Sequence, residues 1–121
     1  MYHSFENLEV WKKAYRLVIQ IYSALSGTKE YFIKDQILRS SLSIPSNIAE
    51  GAERNSKQEF IRFLHIAKGS CGELRTQLMI ARDLKIINDA EEFINQTTEI
   101  SSMLHGLIKK IEASQNKTSK Q

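Results

Sequence analysis

The chain has 121 residues with a formal net charge of +3, and 41% of them are hydrophobic and 26% charged, which is typical of one globular domain large enough to bury a core. No apolar run approaches the roughly 18 residues that a membrane span needs, and the first residues lack the basic and apolar regions of a signal peptide, which together favour a cytoplasmic protein without a membrane partner. The single cysteine, Cys71, excludes an internal disulfide.

Two helices are predicted in the first half of the chain, over residues 8–26 and 29–53. In the first of them, apolar residues recur in steps of three and four from Leu8 to Leu25, which is the spacing of one helix face. A short polar break separates the two helices. We expect Gly27 in this break to take the left-handed conformation that commonly ends a helix.

The second predicted helix is apolar on two sides. One face consists of isoleucines, namely Ile33, Ile37, Ile44 and Ile48. The other face, well round the cylinder, consists of Leu38, Leu42 and Ala49. A helix that is apolar on two sides is buried on two sides. In a bundle of four short helices this predicts a second contact beyond the monomer core, such as a subunit interface.

Two further helices are predicted over residues 57–85 and 89–112. The third helix begins with a capping box in which Ser56 is the N-cap and Glu59 is the third helical residue. Asn88 is the predicted N-cap of the fourth helix. The apolar positions of the third helix alternate steps of four and three residues, which is a heptad seam. The seam consists of Phe60, Leu64, Ala67, Cys71, Leu74, Leu78 and Ala81.

Short turns between these helices make consecutive helices antiparallel neighbours. The predicted fold is therefore all-α, an antiparallel up-down-up-down four-helix bundle over residues 1–112. Residues 113–121 are predicted to form a flexible, lysine-rich tail. Small residues at the centre of the third helix (Gly69, Ser70 and Gly72) further predict that the second helix approaches it closely there.

Positive charge is unevenly distributed along the chain. From Lys109 onward the chain contains four lysines and one glutamate, whereas residues 1–108 contain 13 basic and 13 acidic side chains. On the third helix three cations recur every seven residues beside the seam. They are either solvated flanking charges or a track that binds nucleic-acid phosphates. The candidate nucleic-acid-binding residues are Lys68, Arg75, Arg82, Arg62, Lys109 and Lys110.

The stretch Ser43–Gly51 reads Ser-Ile-Pro-Ser-Asn-Ile-Ala-Glu-Gly and places polar and helix-breaking residues inside an apolar helix. Such a segment lowers stability, so we expect it to have a packing or recognition role. Asn47 and Glu50 are interpreted either as a buried or interface hydrogen-bond set, with Gln36 or Arg39 as partner, or as ligand-binding residues. The candidate structural or interface residues are Ser43, Ile44, Pro45, Asn47, Ile48, Glu50 and Gly51.

Residues with catalytic or metal-binding chemistry are not arranged for it. Di-iron bundles need Glu-x-x-His pairs, and no histidine of this chain has a glutamate three residues before it. Cys71 lies in the seam and is predicted to be a small core side chain rather than a nucleophile. A hydrolase that used Glu50 would need a second titratable group beside it. We therefore expect no enzyme activity, no metal and no cofactor.

Several stretches match the pattern of one protein family. Besides Ser43–Gly51, the matching residues are Phe5, Leu8, Val10, Trp11, Ala14, Gln36, Arg39, Ser40, Ser41, Arg54, Glu59, Phe60, Phe63, Leu64, Ile66, Ala67, Gly69, Ser70, Glu73, Leu74 and Thr76. Over about residues 4–110 the chain thus resembles the four-helix-bundle proteins named after the 23S ribosomal RNA intervening sequences in which some are encoded. The resemblance implies a bundle that assembles into a ring, commonly a homopentamer, with no assigned enzyme activity.

Two functions remain as alternatives. The first is a non-enzymatic, ring-forming protein that binds RNA, or nucleic acid more generally, through a multivalent basic surface. The second is an oligomeric adaptor for a protein partner such as a retroelement reverse transcriptase. This alternative arises because the family resembles a retroelement accessory protein that forms such a ring and binds RNA and that enzyme. The two-faced second helix favours oligomerisation in both cases, whereas the balanced charge of residues 1–108 does not itself favour RNA binding.

Overall fold

Four α-helices make up most of the computed structural model, which describes residues 4–119 and the side chains of residues 4–115. The helices are α1 (Glu9–Ala24), α2 (Tyr31–Glu53), α3 (Lys57–Asp83) and α4 (Ala90–Ser119). A short 3₁₀ turn, Phe5–Asn7, precedes them. Residues 4–119 contain no strand. The all-helical class and the four helices are confirmed, and the connections between helices are three to six residues long.

Where neighbouring helices contact each other, residues early in one helix meet residues late in the other. Between α2 and α3, the Ser40 hydroxyl donates to Gln77, whereas Ser43, further along α2, contacts Ser70, which comes earlier on α3. Between α3 and α4, the early Lys57 donates to the late Ser114, and the late Arg82 donates to the early Glu91. These pairs fit the antiparallel arrangement that short connections predict.

The core lies along the predicted apolar faces. On α3 every seam residue after Phe60 is fully buried, and Phe60 itself is partly buried against the same core. The largest fully buried apolar side chains contributed by the other helices are Leu17, Ile21, Ile37, Ile44, Ile48, Ile100 and Leu104. Each such side chain contributes roughly 1.5–3 kcal/mol to stability on burial. The core therefore runs the length of the bundle, with α3 packed between α2 and α4.

Cys71 is a buried core thiol, as predicted. Burial raises the pKa of this thiol to about 12, and the nearby Arg75 charge opposes that shift only partly. The thiolate is the reactive form. Because an unfolded thiol ionises near its ordinary pKa of about 8.5, this burial contributes stability that is present below that pH and lost as the pH rises through about 12.

We predict that Cys71 does not react with a thiol reagent in the folded protein. At pH 8, the native chain should remain unlabelled over a period in which the urea-unfolded chain reacts completely, because the folded thiol is both buried and neutral. Absorbance of a chromogenic disulfide reagent measures the reaction. Comparable rates in the native and unfolded chains would contradict this picture of the core.

The end of α1 and the start of α4 differ from the predictions. Gly27 does not take a left-handed conformation; after Ala24 the N–H of Thr28 instead bonds the carbonyl of Leu25, a tight right-handed pattern that needs no glycine. The carbonyl of Asp89, not of Asn88, accepts the first bond of α4, so the helix begins one residue later than predicted.

A left-handed residue does end α3, but it is a lysine. Lys85 has φ 59°, its N–H bonds the carbonyl of Arg82, and the N–H of Ile86 reaches back to the carbonyl of Ala81. This is the hydrogen-bond pattern of a Schellman motif. The sequence offers no glycine at this position, so the left-handed conformation could not be predicted from residue type.

The fourth helix is longer than predicted. It continues to Ser119, so residues 113–119 of the predicted tail are helical, and residues 120 and 121 lie outside the described residues. No glycine or proline interrupts this segment. Lys57 at the start of α3 also donates to Ser114 at 2.8 Å, which ties the helix end to the bundle. The side chain of Lys117 lies outside the described part.

The close approach of α2 and α3 occurs at a different glycine from those predicted. A Cβ atom on Gly69 or Gly72 would meet no atom within 4 Å, so these two glycines face away from α2. Ser70 between them does contact Ser43 of α2, with 2.8 Å between the hydroxyl oxygens. The tightest approach is at Gly51, where a Cβ would lie 2.7 Å from the Cβ of Phe63.

Candidate nucleic-acid interface

The basic stripe predicted on α3 opens onto a groove between α3 and α4. Lys68 and Arg75 are half-buried in this groove, and seven helical residues separate them by about 10 Å along the axis. The groove has a volume of about 290 Å³. Its other lining residues belong to α4, namely Thr98, Ser101, Ser102 and His105. Because the helices are antiparallel, His105 lies towards the Lys68 end, and the two serines lie near the middle.

No carboxylate is among the described residues that line this α3/α4 groove. Three other surface grooves each contain two: Glu50 and Glu53 in one, Glu92 and Glu99 in another, and Asp89 and Glu92 in the third. Of these four grooves, the α3/α4 groove is therefore the one whose described lining carries only positive fixed charges. An anion that enters it meets no like charge on its walls.

Neither cation of the groove is neutralised by the described part of the chain. Lys68 and Arg75 form no ion pair there, and the Nε atom of Arg75 is buried without a hydrogen-bond partner. A buried N–H without an acceptor destabilises a protein by roughly 1–3 kcal/mol. Because this Nε atom is enclosed by the protein, an anion in the groove meets the guanidinium through its terminal nitrogens, which have no partner among the described residues.

The other predicted cations are less free to bind a ligand. Arg82 donates to Asp83 at 3.0 Å and to Glu91 of α4 at 2.6 Å, and these hydrogen bonds raise its pKa. Lys109 lies 3.7 Å from a glutamate one turn later, whereas Lys110 is exposed and has no ion pair within the described residues. The stripe of three cations on α3 is therefore reduced to two that are available.

Arg62 is also engaged elsewhere. It donates to Glu59 at 2.9 Å, and this bond is the main reason that the pKa of Glu59 is lowered and that of Arg62 is raised. Its guanidinium also lies 4.6 Å from the ring centroid of Phe63, and Arg54 lies 5.0 Å from the same centroid. This cluster holds the start of α3 against the end of α2.

The α4 wall of the groove was not among the predicted site residues. Its four residues occur at spacings of three, one and three, so they form a polar stripe on one side of the α4 seam. That spacing is visible in the sequence. What could not be seen is that this stripe faces Lys68 and Arg75, because this depends on how the two helices are rotated against each other.

The stretch Ser43–Gly51 is mainly a packing element. Four of its residues are buried, namely Ile44, Pro45, Ile48 and Gly51. The α-helix continues through the proline. The hydroxyls of Ser40 and Ser41, just before this stretch, donate to carbonyl oxygens of the preceding turn. The polar residues of this part of α2 are thus satisfied mostly within the helix and by α3.

Asn47 and Glu50 do not form the predicted buried set with Gln36 or Arg39. Asn47 is half-buried, and its amide donates to the carbonyl and hydroxyl oxygens of residue 43, at 2.8 and 2.9 Å. Glu50 is exposed and lies 3.4 Å from Arg54. Glu50 is not buried within the single chain, because the next residue, glycine, faces α3 while Glu50 points into an open groove. The interface and ligand-binding interpretations of Asn47 and Glu50 stay predictions.

The second apolar face of α2 lies at the surface of the single chain. Leu42 is 53% exposed, and Leu38 and Ala49 are half-buried. On α1, one helical stripe of exposed apolar side chains consists of Tyr15, Ile19 and Tyr22. Such exposed apolar side chains on neighbouring helices are typical of a surface that binds another protein molecule.

The described residues provide no metal centre and no membrane span. No three His, Cys, Asp or Glu side chains among them are grouped so as to hold a metal ion. None of the helices, as far as the structure describes them, combines the length and the hydropathy required to cross a bilayer.

Comparison with known proteins finds a family and a solved fold. The sequence pattern described as 23S rRNA-intervening sequence protein matches residues 6–106. Among the solved structures that match is a protein of unknown function from the S23 ribosomal protein family of Bacteroides thetaiotaomicron VPI-5482, with a TM-score of 0.77 and 30% sequence identity. That match covers 83% of this chain and 98% of the other. No curated protein is significantly similar in sequence.

Proposed function

Because this chain belongs to the family of 23S rRNA-intervening sequence proteins, we propose that it is a non-enzymatic, self-associating protein that binds nucleic acid, RNA above all. The membership confirms the resemblance inferred from the sequence motifs. The observation that carries the functional proposal is the carboxylate-free α3/α4 groove. In it Lys68 and Arg75 have no acidic partner within the described residues.

The phosphate backbone is the ligand that suits this groove. Two available cations and several hydroxyl groups form a surface that attracts anions, and the described lining includes no Phe, Tyr or Trp on which a base could stack. Contacts of this kind bind phosphate without reading sequence. We therefore expect binding that depends strongly on salt and weakly on sequence.

Self-association would strengthen binding that is weak in a single chain. The exposed Leu42 face of α2 and the Tyr15 stripe of α1 support an interface between copies. A homopentameric ring, as the family resemblance implies, would present the α3/α4 groove five times on one particle. When several grooves of one particle bind the same RNA, the overall affinity exceeds that of a single groove, because each later groove binds at a high effective concentration.

The test compares two double variants that remove the same charge. Lys68→Gln combined with Arg75→Gln removes the two available cations, whereas Arg39→Gln combined with Arg82→Gln removes two that already pair with acids. Fluorescence anisotropy with a structured RNA, titrated across salt concentrations, should show about a tenfold loss of affinity for the first pair. Its salt slope should fall by roughly 1.4–1.8, which corresponds to two phosphate contacts.

The control pair should change both quantities far less. Equal losses in the two double variants would mean that net charge rather than the groove governs binding. Failure of the unmodified protein to bind RNA at low salt would overturn the proposed function.

An adaptor for a protein partner, such as a reverse transcriptase, is the second candidate. It is favoured by the exposed aromatic side chains of Tyr15, Tyr22, Tyr31 and Phe32. Light scattering distinguishes whether these exposed side chains bind other copies of the chain or a different protein. A particle several times the chain mass means that copies cover it, whereas a monomer at high concentration leaves it to another protein.

A further inference from the structure

We propose that the α3/α4 groove binds the phosphomonoester end of an RNA chain in preference to an internal phosphodiester. This inference rests on the proposed function and names the part of the nucleic acid that the groove recognises. Four observations support it, namely the number of donors, their charge, their convergence and the composition of the walls.

The groove offers more hydrogen-bond donors than an internal phosphate can use. The Lys68 ammonium carries three N–H donors, and the two terminal nitrogens of Arg75, which have no partner among the described residues, add further donors. The hydroxyls of Ser101 and Ser102 form no hydrogen bond with the described residues either. An internal phosphodiester presents two non-bridging oxygens, whereas a phosphomonoester presents three terminal ones.

The charge of the groove also matches a terminal phosphate better. Lys68 and Arg75 supply two positive charges, and no carboxylate offsets them among the described lining residues. A phosphomonoester carries about −1.5 to −2 charges near pH 7, whereas an internal phosphodiester carries one. The monoester therefore gains a second charge-assisted interaction, which is roughly twice as strong as a neutral hydrogen bond.

The two cations can converge on one group. They stand about 10 Å apart along α3, and each side chain is long enough to reach the space between them. Ser101 and Ser102 of α4 face that space from the opposite wall, because α3 and α4 are antiparallel. The hydroxyl of Thr98 already donates to the carbonyl of Ile94, so the serines are the hydroxyl donors of this wall.

The composition of the walls favours the phosphate over the base. His105 is the one ring among the described lining residues, and the groove lacks the aromatic pair that would hold a base between them. A terminal phosphate can enter an open groove of about 290 Å³ with its nucleoside outside. An internal phosphate must keep the chain on both sides along the helix surfaces.

The experiment uses one short single-stranded RNA sequence with a 5′-phosphate, a 3′-phosphate or hydroxyl groups at both ends. Fluorescence anisotropy at fixed salt measures binding to the full chain and to Arg75→Gln, Ser102→Ala and the control Arg39→Gln. We expect the unmodified protein to bind at least one phosphorylated form about tenfold more tightly than the hydroxyl form. The preference should vanish in Arg75→Gln, fall in Ser102→Ala and persist in Arg39→Gln.

The ratio of affinities is the decisive quantity, since each variant is compared with itself and a general loss of folding cancels. The control Arg39→Gln accounts for the loss of one positive charge, which weakens binding of the more highly charged RNA forms everywhere on the protein. Equal binding of all three RNA forms by the unmodified protein would overturn this inference and leave the proposed function intact. Binding of none of them, together with no binding of structured RNA, would overturn both. A preference that survives in Arg75→Gln would place terminal-phosphate recognition outside the α3/α4 groove and overturn the inference as well.

Discussion

Replacing Gly51 with alanine should lower the free energy of unfolding by about 1 kcal/mol, although alanine is the better helix former. Alanine in a helix gains about 1 kcal/mol over glycine. At this position, however, the added Cβ would lie 2.7 Å from the Cβ of Phe63 and 3.1 Å from the Cδ1 of Phe60. Overpacking of a rigid contact typically destabilises by 1–3 kcal/mol or more, and a Cβ cannot rotate away from the backbone as a side-chain tip can.

The matched control is Gly72→Ala, at which the new methyl group meets no atom within 4 Å. This variant should gain up to about 1 kcal/mol from helix propensity alone. Urea unfolding followed by circular dichroism at one low protein concentration measures both variants. Their effects should have opposite signs, and a gain of stability in Gly51→Ala would show that α2 and α3 do not pack tightly at this glycine.

The contrast between these glycines shows what local pattern can and cannot predict. The seam of α3 was predictable because its spacing follows from helix geometry alone, and the residues it singled out line the core. Both glycines of α3 also stand in a helix, yet they face outward, whereas Gly51 meets a phenylalanine. Which side of a helix receives a neighbour depends on rotation and tilt, which are set by the packing of the whole bundle.

The candidate site shows the same division. The seven-residue spacing of Lys68, Arg75 and Arg82 predicts that the three share one side of α3, and all three lie towards α4. It could not show that Glu91, on the next helix, pairs with Arg82, or that serines of α4 face the other two cations. Charge availability is a tertiary property, because an acid distant in sequence can neutralise one member of a regular stripe and spare the others.

One ion pair within α2 was also not predicted. Gln36 and Arg39 were the predicted partners of Glu50 in a buried or interface set, but in the single chain Glu50 is exposed beside Arg54, four residues later. The spacing of four is a common one for helical ion pairs. A search of the sequence for such pairs would have found Arg54 as a partner of Glu50.

The two faces of α2 should respond differently to truncation, and this is the prediction with the largest effect. Ile48 is fully buried, so Ile48→Ala should lower the free energy of unfolding by about 2–5 kcal/mol. Leu42 is 53% exposed in the single chain. Leu42→Ala should therefore change the stability of the isolated chain by no more than about 0.5 kcal/mol.

Protein concentration separates the two effects, because association stabilises the folded state by mass action. If copies associate through the Leu42 face, the melting temperature of the unmodified protein rises with concentration, and Leu42→Ala removes part of that rise while lowering the particle mass in light scattering. Ile48→Ala should lower the melting temperature by a similar amount at every concentration, because it removes a core side chain that is buried within each single chain. An unchanged mass and an unchanged concentration dependence in Leu42→Ala would mean that another part of the surface joins the copies, since a leucine buried at an interface cannot be truncated without loss of affinity.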